Sequence, residues 1–156
     1  MIGISSCLGG ICCRYDGQAK EVDALRKLVD NGQAILVCPE VLGGMPIPRD
    51  PAEIQGGDGF DVWKNQSMVI TDKGEDVTEQ FKLGAIIAYQ KLIEANISTI
   101  ILKENSPSCG HDQVYDGNFS GSRKNGVGVA TAYFLSKGLQ VISENNWKTT
   151  LEQDFK

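Results

Sequence analysis

Four short runs, at residues 2–6, 34–37, 98–102 and 139–143, recur between stretches of helical periodicity, mostly apolar and, at 34–37, continuously so. Each is too brief for a helix and reads as a strand of a largely buried parallel sheet. Between the first two, Val22, Leu25, Leu28 and Val29 fall at helical spacing and Asn31-Gly32 supplies the stop. Asp76 with Glu79 resembles a capping box ahead of Phe81, Ala85, Ala88 and Leu92, which predicts a long amphipathic helix ending near Asn96. Residues 126–137 are apolar on nearly every face and stop at Gly138, as a buried helix would, and residues 147–155 predict a closing helix. Strands alternating with helices predict an α/β fold. The expected architecture is a doubly wound, mostly parallel sheet of about four strands with helices on both faces, a Rossmann-like three-layer sandwich in one domain over residues 1–156.

Residues 39–59 interrupt this rhythm with four of the five prolines and five glycines, so an irregular stretch is expected there, of the kind that usually serves a purpose. Residues 62–71 alternate weakly and suggest an edge strand or hairpin. A formal charge of -5 gives no net pull towards nucleic acid or an anionic membrane, and neither is expected as a partner. No apolar run approaches the ~20 residues that would span a bilayer. The first 13 residues lack the basic leader of a signal peptide, so a cytoplasmic location is expected and the five cysteines read as thiols or metal ligands.

Position separates those cysteines. Cys7, Cys38 and Cys109 each follow the carboxyl end of an expected strand directly or within a few residues. In a parallel sheet those ends share one edge, so cysteines 31 and 71 residues apart (38 − 7 and 109 − 38) meet at the crevice where such folds bind ligands. Three thiolates at one point repel each other unless a cation joins them, and sulfur's softness favours iron-sulfur, zinc or copper(I). There is no Cys-x-x-Cys pair, and the single His111 belongs to no His-x-x-x-His arrangement, which argues against a zinc ribbon. Cys12 and Cys13 are adjacent, so their side chains diverge; Cys12 reads more simply as a small buried hydrophobe.

Several separated motifs carry a resemblance. Cys7-Leu8-Gly9-Gly10, Cys13-Arg14-Tyr15-Asp16-Gly17, the run from Cys38-Pro39-Glu40 to Pro48-Arg49, Pro51-Ala52-Glu53-Ile54, Lys103-Glu104-Asn105-Ser106-Pro107-Ser108-Cys109-Gly110 and Gly126-Val127-Gly128-Val129 stand in an order that resembles the DUF523 family, whose characterised members are 2-thiouracil desulfurases. Gly9 departs from it, standing where leucine is expected.

The resemblance implies a [4Fe-4S] cluster held by Cys7, Cys38 and Cys109, with the fourth iron open to the sulfur of a small thiolated base. That iron then acts as a Lewis acid while a carboxylate handles water and the carbon exchanges sulfur for oxygen. Glu40 matches the acid of the Cys-Pro-Glu motif, and an apolar, cysteine-lined pocket would raise its pKa towards a working base. Ser106 is expected to offer a hydroxyl to the heterocycle, or else to serve as a turn residue before Pro107. Arg14, Asp16, Arg49 and Ser108 are expected around the substrate, although each arginine also suits tying loops together. Glu53 reads as structural, and Gly126 and Gly128 as close-packing positions where backbone amides could meet an anion. A binding or storage module with a structural cluster or zinc is the rival reading, and a thiol redox protein using Cys12 or Cys13 is a third.

Overall fold

The computed structural model describes residues 1–10, 15–16 and 22–154; Cys12, Cys13 and Arg14 lie outside the described residues. The four apolar runs form one sheet of β1 (Ile2–Ser5), β2 (Ala34–Val37), β5 (Thr99–Leu102) and β8 (Gln140–Ser143). Its order is β2-β1-β5-β8, and every neighbouring pair is parallel. Strands apolar towards both faces demand cover on both, and helices supply it. On one face Ile4, Ile101 and Ile142 pack with Leu25 of α1 (Asp23–Asp30) and Trp147 of α6 (Trp147–Asp154). On the other, Ile100, Leu102 and Val141 pack with Ala85, Ala88 and Leu92 of α4 (Thr78–Glu94) and with Ala130 and Phe134 of α5 (Val129–Ser136). This is the expected three-layer α/β arrangement.

The order places β1 beside both β2 and β5, so the sheet reverses direction of growth at β1 and β5. At such a switch point the loops leaving the carboxyl ends of the two strands part in opposite directions and leave a crevice. The chain leaves β1 through a 3-10 turn at Ser6–Gly9, which holds Cys7. Gly9 is buried, and a Cβ there would lie 2.4 Å from Leu36 Cδ2, so the turn packs directly onto β2.

The stretch at 39–59 is more ordered than its prolines and glycines suggest. It contains α2 (Pro39–Leu42) and β3 (Ala52–Gln55), the latter paired antiparallel with β4 (Met68–Thr71) across α3 (Gly59–Trp63). The capping box lies here, where Asp58 and Asp61 satisfy each other's backbone amides at the start of α3. Asp76 works differently from expectation. Val77 is the cap of α4, and Asp76 Oδ1 instead accepts from Thr78 N at 2.9 Å and Thr78 Oγ1 at 2.6 Å. A second hairpin, β6 (Gln113–Tyr115) with β7 (Arg123–Asn125), folds beside β3. No helix among the described residues is long and apolar enough to cross a membrane.

Candidate metal centre

Each of the three cysteines is set by a different strand end. Cys7 is 5% exposed and Cys109 is 5% exposed, each joined to the core on opposite faces of the sheet, whereas Cys38 is partly exposed. Cys38 has an extended backbone, as a residue before proline prefers, and its carbonyl accepts the first hydrogen bond of α2 from Leu42 N at 3.0 Å. Helix α2 is seated on α4 with almost no room between backbones. A Cβ on Gly84 would fall 1.8 Å from Pro39 O, and one on Gly43 would fall 2.0 Å from Gln80 O.

Cys109 sits in a loop held from three sides. Ser106 Oγ accepts from Ser108 N at 3.0 Å and Cys109 N at 3.1 Å, closing the turn. The first amides of α5, which lack partners within their own helix, donate outward: Val129 N to Pro107 O at 2.8 Å and Ala130 N to Ser108 O at 2.9 Å. Gly128 N also donates to Gly110 O at 2.9 Å, so these amides are occupied by carbonyls and the anion-binding reading of Gly128 does not hold. The close packing does hold, since a Cβ on Gly128 would lie 2.4 Å from Ser108 O. Glu104 completes the loop. It is buried, and its Oε1 accepts from the amides of Asn105, His111, Asp112 and Gln113 at 2.8–3.3 Å. Nothing in the sequence marked this residue beyond its place in the motif, because its partners come from the far side of the loop.

A cavity of about 410 Å³ opens at this edge, lined by Cys7, Cys38, Cys109, Glu40, Arg49 and Ser106 among others. Burial pushes the Cys109 thiol well above its ordinary range, and the negative charges of Glu40, Cys38 and Cys7 push it further. Three thiols lining one cavity form a soft donor set, which the irons of an iron-sulfur cluster accept. Among the described residues, Glu104, His111 and Asp112 also bring three ligand atoms within 4.8 Å of one another.

Around that centre the expected residues divide. Arg49, with 4% of its side chain exposed, pairs with Glu40 Oε2 and donates to Pro46 O at 3.2 Å. Glu40 thus faces a guanidinium instead of the apolar walls expected for it. The Arg49 amide also donates to Tyr15 O at 2.7 Å, tying the loop after β1 to the loop after α2. Ser108 is fully buried and Asp16 is exposed, and neither is among the residues lining the cavity. Arg14 lies outside the described residues. Glu53 is structural as expected: its Oε1 accepts from Gly117 N at 2.9 Å and Phe119 N at 3.2 Å, fastening the β6–β7 loop over the cavity rim.

The model of the 2-thiouracil desulfurase family matches residues 2–146. The uncharacterised protein YbbK of Bacillus subtilis (strain 168) is 52% identical over 147 residues, covering 93% of this chain and 96% of that one. Among solved structures, the [4Fe-4S]-dependent thiouracil desulfidase TudS superposes with a TM-score of 0.87 at 39% identity, covering 99% of this chain and 98% of the other.

Proposed function

The chain belongs to the 2-thiouracil desulfurase family, and from that premise we propose that it is an iron-sulfur-dependent desulfidase for a thiolated pyrimidine or similar small thio-compound. The overall change is hydrolytic: the thiocarbonyl carbon gains the oxygen of water and its sulfur leaves as hydrogen sulfide. The observation that carries this reading is the convergence of Cys7, Cys38 and Cys109 on one cavity that also holds a carboxylate and a hydroxyl. The three thiolates would hold a [4Fe-4S] cluster. When bound, it would supply Lewis-acid chemistry for the substrate's sulfur.

The remaining work falls to the chain's own groups. Glu40 stands two residues from a ligand with its Oε2 fixed by Arg49, which leaves Oε1 to orient a water against the substrate carbon and take its proton. Arg49 is a positioning residue in this scheme. Ser106 Oγ already accepts two amide protons, so its own O–H is the group left to donate to a ring heteroatom of the substrate. The turn role and the substrate role of Ser106 are compatible. Small substrates and reduced thiols suit a cytoplasmic location.

The test is Glu40→Gln in anaerobically reconstituted protein. It keeps the side chain's shape, so the cluster's absorption spectrum should persist while sulfide release from 2-thiouracil falls by about 10²–10⁴-fold. An undiminished rate would place the base elsewhere.

A further inference from the structure

A buried serine beside the cysteine trio is not used by the scheme above. Ser5, at the end of β1, is 4% exposed, and its Oγ lies 3.6 Å from Cys7 Sγ. A buried hydroxyl set against a sulfur calls for an explanation, and the sulfur's charge supplies one. A neutral thiol accepts a hydrogen bond weakly, whereas a metal-bound thiolate carries negative charge and accepts well.

We propose that Ser5 is a positioning residue for the cluster, its hydroxyl donating to the Cys7 sulfur and raising the cluster's reduction potential. This rests on the cluster reading above. Adding one electron makes the cluster and its three thiolates more negative, so a donor aimed at a ligand sulfur stabilises the reduced form more than the oxidised one. Removing the donor lowers the potential. The same bond holds the Cys7 side chain in place and slows iron loss.

The experiment uses reconstituted wild type, Ser5→Ala and Ser5→Thr, each checked for iron content. Midpoint potentials come from anaerobic titration with dithionite and mediator dyes, read by electron paramagnetic resonance. Ser5→Ala should titrate at a more negative potential than wild type, with iron passing to a chelator severalfold faster. Ser5→Thr, which keeps the hydroxyl, should return towards the wild-type potential. Unfolding of the metal-free proteins separates a merely structural role, which would move the melting point and leave the potential alone. Full iron with an unchanged potential in Ser5→Ala would overturn the proposal. Should Ser5→Ala fail to fold, Ser5→Gly decides by the same criterion. A wild type that assembles no four-iron cluster would instead refute the cluster reading itself.

Discussion

Substituting Gly84→Ala tests how the cavity is assembled, because two effects of opposite sign meet at that position. Gly84 lies inside α4, where alanine is intrinsically better than glycine by about 1 kcal/mol. Packing opposes this. The new Cβ would sit 1.8 Å from Pro39 O, 2.7 Å from Pro39 C and 3.1 Å from Gly43 N, all backbone atoms that no rotamer change can move. To restore ordinary contact α2 must retreat by roughly 1.5 Å, an overpacking that costs about 1–3 kcal/mol. The balance is a loss of about 1 kcal/mol, or a melting point about 2–4 °C lower in a chain of this size. The functional effect should be larger than the thermodynamic one. Helix α2 follows Cys38 and carries Glu40, and a displacement near 1 Å in a catalytic group can cost about 10²-fold in rate. Thermal unfolding of the metal-free protein, iron content after reconstitution and sulfide release are the assays. A variant that melts higher than wild type, loads full iron and turns over normally would refute the close seating of α2 on α4.

Glu104→Ala removes an acceptor shared by four backbone amides and should destabilise the protein by roughly 3 kcal/mol in urea unfolding, with Glu104→Gln milder because one oxygen remains. Because the same loop carries Cys109, the alanine variant should also release iron faster; unchanged stability would show that the amides find water instead. Asp76→Asn addresses pH. The Thr78 hydroxyl, then its amide, hold the Asp76 carboxyl below its ordinary value, so its contribution is present above that ordinary value and is lost as pH falls through the depressed one. The asparagine variant should be less stable than wild type at neutral pH and converge on it in acid, and equal stability at neutral pH would remove the assignment.

The parts of the fold legible in the sequence are those where a pattern runs long enough to be periodic. The four buried strands, α1, α4 and α5 follow from apolar runs and helical spacing, and Cys7, Cys38 and Cys109 could be brought together because parallel strands end on one edge. The β6–β7 hairpin escaped notice because its strands are three residues long and one of them reads Arg-Lys-Asn, which carries no apolar signal. Helix α3 is five residues long and its capping box is built from two aspartates, not the usual serine and glutamate. Within the site, the convergence of the three cysteines on one cavity was a matter of topology and was visible. The pairing of Arg49 with Glu40, the burial of Ser108 behind the cavity and the four amides on Glu104 are products of loop conformation, which local spacing does not encode.

In the proposed site Cys7, Cys38 and Cys109 jointly hold one four-iron cluster. Iron and sulfide analysis with Mössbauer spectroscopy on reconstituted wild type and on Cys7→Ser, Cys38→Ser and Cys109→Ser decides it. About four irons per chain are expected in the wild type, in a single cubane with one iron distinct from the other three, and loss of most of that iron in every variant. A wild type that holds one zinc, or serine variants that all keep their iron, would contradict it.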